Sequence, residues 1–376
     1  MKKNFLFRLS AIAMSLILVA CGGSTSEDVV ENETTAIESE ESLNVVVTTP
    51  MLGEFVKQVA GDSVVLDILM PAEADPHTYD PSPQDAAKIA DADIVLYVGI
   101  KYETSSLLKL IENTASTNAT LLEIGEEIDP IEFKDGERDH GHHDDHDEDG
   151  HDDHDEEGHD DDKDHDHDDE DGHDDHDDED GHDDHDEEGH EGHEGHDHGS
   201  EDPHFWFDPV RVAMAVEVIK DSLVSLDPAN SSTYEANADN FISELTDLDA
   251  QVKELIESVS EDNRKIVTTH EALGYLEARY GIEIFATIIP SLSTADEISP
   301  SQIADVIDVI EDNNIKVLFV ESEAPSVYAE TVVAEAGITA VTGLYVETLK
   351  DGQTYSDFLI SNVTLIVESL NSAGEG

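Results

Sequence analysis

The chain contains 20 histidines, and 17 of them fall in one tract between Asp139 and His198. Imidazole is the commonest protein ligand for transition metals, so this distribution is the first chemistry to weigh. Three histidines lie outside the tract, each isolated in sequence: His77, His204 and His270. His77 sits in Asp75-Pro76-His77-Thr78-Tyr79-Asp80-Pro81-Ser82-Pro83, a proline-stiffened loop. His204 sits in Pro203-His204-Phe205-Trp206-Phe207-Asp208-Pro209, just ahead of a helical pattern, and His270 closes the apolar run that starts at Ile266. A metal site must hold several donors in a fixed geometry, and stiff loops and strand ends can do that. Taken singly, each would read as a cap or core histidine; together, in a body with no other imidazole, they read as a ligand set. Phe205, Trp206 and Phe207 read as core and wall residues that would keep such a site dry.

The tract repeats a unit close to Gly-His-Asp-Asp-His-Asp-Glu-Glu, intact at Gly150–Glu157 and Gly181–Glu188. Its histidines are His140, His142, His143, His146, His151, His154, His159, His165, His167, His173, His176, His182, His185, His190, His193, His196 and His198. Asp and Glu alone would serve solubility, so the regular imidazoles point to a secondary, weaker metal-binding loop. With almost no apolar residue and 34 acids against one lysine, the tract is expected to form no packed core. It is read as a disordered insertion at 139–198. Carboxylates around imidazole favour its protonated form, so metal binding there should weaken below about pH 6.

The first residues read as an export signal: Lys2, Lys3 and Arg8, then the apolar stretch Leu9 to Ala20. Leu18-Val19-Ala20-Cys21 resembles the lipobox of bacterial lipoproteins, with Cys21, the only cysteine, at the position that receives lipid. The expectation is a signal peptide at 1–20, a lipidated flexible tether at 21–43, and an extracytoplasmic body anchored to the cell membrane or held in the periplasm. A lone cysteine permits neither a disulfide within the chain nor a thiolate zinc site. The formal charge of -74 excludes nucleic acid and anionic lipid surfaces as partners of the body.

Strand-like runs at 44–49, 64–69, 94–98 and 119–124 alternate with helical patterns at 51–60, 83–90 and 103–114. Helices at 209–226 and about 230–259 follow, the longer with Phe241, Leu245, Leu248, Val252, Leu255 and Val259 on one face. Alternation resumes with strands at 265–269, 282–288 and 316–320 and helices at 271–280, 300–313, 325–336 and 355–370. The fold class expected is α/β, with two lobes of parallel sheet joined by one long helix. The lobes are set at 44–226 and 261–376, with the linking helix at 227–260. Ligands of such sheets bind beyond the carboxyl ends of the strands.

The strings DPHTYDPSPQD, HFWFDP and TTHEALGYLEARYG resemble signature segments of the solute-binding proteins of zinc and manganese ABC importers, and Gly343 to Leu349 resembles a fourth. The likeness runs from Asn44 to Ser369. It implies two α/β lobes around a rigid helix, one metal in the cleft, and His77, His204 and His270 as nitrogen ligands. An acidic His-rich loop before the second histidine is typical of the zinc branch, and manganese members tend to have a carboxylate at the position of His270. Three imidazoles favour zinc over manganese, although the same donors would also take nickel or copper. The family commonly has aspartate where this chain has Glu347, which is therefore the fourth candidate; Glu321, at a strand end, competes with it. Some zinc members place a carboxylate directly before the first histidine, where this chain has Pro76.

The resemblance implies a monomeric, lipid-anchored receptor that captures zinc and hands it to an ABC permease, without catalysis. Two other classes stay open at this level. A metallohydrolase would use the same donors, but His270-Glu271-Ala272-Leu273-Gly274 has glycine where a zincin helix needs its second histidine. A surface metal buffer or adhesin would work through the tract, and a manganese receptor through the cleft.

Overall fold

The computed structural model describes residues 42–133, 201–323 and 327–374. Cys21, the expected tether up to residue 41 and the His-rich tract lie outside the described residues, and Leu43, set at the end of the tether, begins the first strand.

The first lobe alternates β1 (Leu43–Val47), α1 (Pro50–Ala60), β2 (Val64–Ile68), α2 (Pro83–Ala90), β3 (Ile94–Tyr97), α3 (Ser105–Thr114) and β4 (Thr120–Glu123). Two helices follow, α4 (Pro209–Leu226) and α5 (Ser231–Glu257). The second lobe runs β5 (Lys265–His270), α6 (Gly274–Tyr280), β6 (Glu283–Ile289), α7 (Pro300–Asp312), β7 (Val317–Glu321), α8 (Val327–Ala336), β8 (Thr339–Leu344) and α9 (Tyr355–Gly374). Each lobe holds one four-stranded sheet, ordered β2-β1-β3-β4 and β6-β5-β7-β8, and every pairing is parallel. Parallel strands require crossovers and helices on both faces, which the alternation in sequence supplies.

The period-two alternation of side chains explains how the lobes are joined. Val45 and Val47 of β1 face one core while Val46 faces another. In β7, Val317 and Phe319 face that same first core, while Leu318 and Val320 turn outward to α7 and α8. The first core is shared: it contains the inward faces of both sheets together with α1, α4, α5 and α9. The two lobes are thus welded through a continuous apolar layer.

Helix α5 contributes Tyr234, Ala238, Phe241, Leu245, Leu248, Val252 and Ile256 to this layer. Ile256, not Leu255, is the fully buried residue of the last turn, because a four-residue step from Val252 keeps the stripe on the buried face. Among the described residues no helix is long and apolar enough to cross a membrane.

Two helices start later than the sequence pattern suggests. α3 begins at Ser105 because Glu103 is buried and turns its carboxylate to Thr48 Oγ1 (2.6 Å) and the amides of Val98 (2.8 Å) and Gly99 (2.9 Å). α6 begins at Gly274 because Glu271 is engaged with the neighbouring strand: its amide donates to Ser291 O (3.0 Å), and Thr287 donates to its carboxylate (3.0 Å).

Candidate metal centre

The carboxyl ends of the strands carry the site. His77 lies in the loop between β2 and α2, His204 caps the 3₁₀ turn Phe205–Phe207 ahead of α4, His270 ends β5, and Glu347 follows β8. One donor atom from each lies within 4.8 Å of those of the others. The three Nε2 atoms surround Glu347 Oε1, at 3.5 Å for His77, 3.4 Å for His204 and 2.7 Å for His270. His204, His270 and Glu347 are fully buried, and the His77 side chain is 3% exposed.

Nε2 of all three rings and both oxygens of Glu347 are buried without a hydrogen bond; the His270–Glu347 pair is in ion-pair contact but off hydrogen-bond alignment. Buried polar atoms are normally paired, and here four of the unpaired ones, one from each residue, converge with the chemistry of a cation's donor set. A tetrahedron with zinc-length bonds has edges of about 3.3 Å. Two of the three N···O separations already match that edge, and the third must open by about 0.6 Å.

For two of the rings, the other side explains why Nε2 is left for this role. His204 Nδ1 pairs with Asp202 Oδ1 at 2.8 Å, and the same oxygen accepts from the His204 amide at 2.9 Å. His270 Nδ1 pairs with Glu321 Oε2, while Glu321 Oε1 accepts from the amides of Thr269 (3.2 Å) and His270 (3.1 Å). A carboxylate on Nδ1 fixes ring orientation and tautomer and raises the basicity of Nε2. Glu321, the competing carboxylate from the sequence, therefore sits behind His270 and is absent from the converging set.

Glu347 is placed through its backbone. Trp206 Nε1 donates to Val346 O (2.7 Å), Tyr102 OH donates to Glu347 O (2.9 Å), and Tyr355 OH donates to Trp206 O (2.8 Å). The Phe-Trp-Phe turn is thus wall and strut together: fully buried, it ties the first lobe to the segment that presents the carboxylate. On the opposite edge, the Glu347 amide faces Glu323 Oε1 at 3.4 Å.

The charges are strongly coupled. For His204, burial is the largest influence and opposes the charged form, but Glu347 and Asp202 outweigh it and hold the ring up to about 9. His270 is likewise opposed by burial and carried well above the usual range by Glu321 and then Glu347. Burial would raise Glu347, yet the facing His204 and His77 rings hold it well below the usual carboxylate range. Burial, then the charge of Glu347, pushes Glu323 up to about 8.

The sequence reading missed Asp75 and Asp202, although a signal was present: Asp-Pro-His occurs at both 75–77 and 202–204. In both copies the histidine amide donates to Oδ1 of the aspartate two residues earlier, at 2.9 Å. The zincin alternative fails on geometry. Residues 271–273 are not helical, and a Cβ at Gly274 would lie 2.4 Å from Asp202 Oδ2, so a histidine there would have to displace Asp202.

Residues 45–369 match the family described as zinc-uptake complex component A, periplasmic. The chain belongs to this family. The manganese-binding lipoprotein MntA of Halalkalibacterium halodurans is 24% identical over 375 residues, covering 98% of this chain and 99% of that protein. The iron ABC transporter substrate-binding lipoprotein MtsA of Streptococcus pyogenes serotype M1 is 24% identical over 378 residues, covering 98% and 99%. Among solved structures, the periplasmic zinc binding protein TroA of Treponema pallidum shares the fold, with a TM-score of 0.66, 21% identity, and coverage of 87% of this chain and 98% of that one. The chain is accordingly a metal-binding substrate-binding protein of an ABC transporter, a receptor and not an enzyme.

Proposed function

We propose that this protein captures zinc between its lobes through His77, His204, His270 and Glu347, and delivers it to the permease of an ABC importer. One observation carries the reading: three buried Nε2 atoms and a buried carboxylate, all without hydrogen bonds, converge within 4.8 Å. Three imidazoles and one carboxylate make a nitrogen-rich set, which suits tetrahedral zinc, whereas manganese prefers an oxygen-rich shell. The carboxylate halves the ion's charge in a pocket walled by Tyr102 and Trp206, whose rings stack edge-on against His77 (5.2 Å) and His204 (5.5 Å). Export, lipidation at Cys21 and action as a monomer complete the proposal, and the His-rich tract serves as a secondary, weaker store.

Competition between zinc and manganese for the purified protein tests the metal. One tightly held zinc that excess manganese does not displace supports the reading; tight manganese retained against zinc would overturn it. Alanine at His77, His204 or His270 should each weaken the tight site by at least about tenfold. If all three variants bind like the parent, the site lies elsewhere.

A further inference from the structure

The two copies of Asp-Pro-His are used differently. Asp202 gives the same oxygen to the amide and to the ring of its own histidine. Asp75 gives Oδ1 to the His77 amide, but its Oδ2 accepts from Thr294 Oγ1 of the other lobe, at 2.6 Å. Thr294 belongs to the segment between β6 and α7, which contains Ser291, Ser293 and Thr294 and folds on itself: the Ser293 amide donates to Ser291 Oγ (3.0 Å) and the Ala295 amide to Ser293 Oγ (3.2 Å). Its near end is fixed beside His270, where Ser291 O accepts from the Glu271 amide (3.0 Å). The segment therefore reaches from the residue after one candidate ligand to the aspartate that holds another.

Its location makes this contact consequential. His77 is the one member of the set that lines a groove of about 1200 Å³, bounded by residues 100–105 and 108 of the first lobe and by 289–293 and 295–298 of the second, with Thr294 itself buried between the last two stretches in sequence. Other lobe-to-lobe bonds near the site, those of Tyr102, Trp206, Tyr275 and Tyr355, are made by buried side chains. Because the lobes share one apolar core, wide separation of the sheets would expose that core to water, at large cost. Passage of an ion is cheaper on the groove side, through displacement of loops.

We infer that Thr294 is a positioning residue for His77, acting through Asp75, and that this cross-lobe hydrogen bond controls how fast the metal leaves on the groove side. The inference rests on the metal site proposed above. With the hydroxyl in place, the carboxylate of Asp75 is held at both oxygens and the His77 amide has a fixed acceptor. Without it, Asp75 retains one tether and the His77 loop can swing into the groove.

The test uses the full chain loaded with zinc and mixed with excess chelator, so that weak sites empty first and the tight site gives the slow phase. Thr294→Val should accelerate the slow phase by about tenfold, as expected for loss of an outer-shell partner, and Thr294→Ser should restore it. In the metal-free protein, amide exchange at residues 75–79 should rise in Thr294→Val while the melting temperature stays near that of the parent. Release at the parent rate in Thr294→Val would overturn the inference, as would acceleration that serine does not rescue. A slow phase that persists in His77→Ala would instead refute the metal site itself.

Discussion

Single residues decide which atom of the His204 and His270 rings faces the shared centre. A carboxylate can reach an imidazole from either side, and sequence position cannot distinguish the two. Glu321 ends one strand of the second lobe and Glu347 follows another, yet the first packs behind His270 and the second faces three Nε2 atoms. The histidines were legible because they are the only ones outside the tract. Their supporting aspartates were legible only as a repeated tripeptide, whose meaning depends on where the second carboxylate oxygen points. Asp202→Ala should leave the His204 ring and amide without their acceptor, and zinc affinity should fall by about 10- to 100-fold with all four donors intact. Competition with a chelator of known affinity measures this; an unchanged affinity would show that packing against Trp206 alone orients the ring.

At the scale of elements, the alternation of strands and helices was readable because each apolar run has the length and period of its type. The helix starts at Ser105 and Gly274 were not, since both depend on a buried glutamate pairing with residues distant in sequence. α6 joins fold and site. Its first residue, Gly274, leaves room for Asp202, and its last turn closes on Gly281, at φ +71°. These two glycines should respond differently to alanine. Gly274→Ala drives a Cβ to 2.4 Å from Asp202 Oδ2, so it should cost about 1–3 kcal/mol and also weaken zinc binding. Gly281→Ala meets no neighbour, and its left-handed backbone should cost about 1–2 kcal/mol with zinc affinity unchanged. Denaturant unfolding of the metal-free proteins, paired with zinc titrations, separates the two; equal effects on affinity would disconnect α6 from the site.

Across the whole molecule, the shared core makes a rigid frame whose centre is a cluster of charges, and that combination ties stability to pH. In the metal-free body the His204 ring is held up to about 9 against an ordinary 6.5, mainly because Glu347 and Asp202 overcome the opposing effect of burial. A raised value means that the folded state binds the proton more tightly than the unfolded chain. Its contribution to stability is complete below about pH 6.5 and disappears as pH rises through about 9. Glu347, held well below its ordinary 4.5, contributes above that value and loses its contribution only in strong acid. Between pH 6.5 and 9, therefore, the metal-free protein should lose stability with rising pH. Zinc at the proposed site should reverse the trend, because it would replace the proton at Nε2, and its apparent affinity should rise by up to about tenfold per pH unit for each proton displaced. The melting temperatures with and without zinc should draw apart across this window, as bound ligand stabilises in proportion to the logarithm of its affinity. Calorimetry from pH 6 to 9 reads both curves, and His204→Gln should flatten the metal-free one. Parallel curves for the loaded and metal-free parent would show that no proton stands where the ion binds.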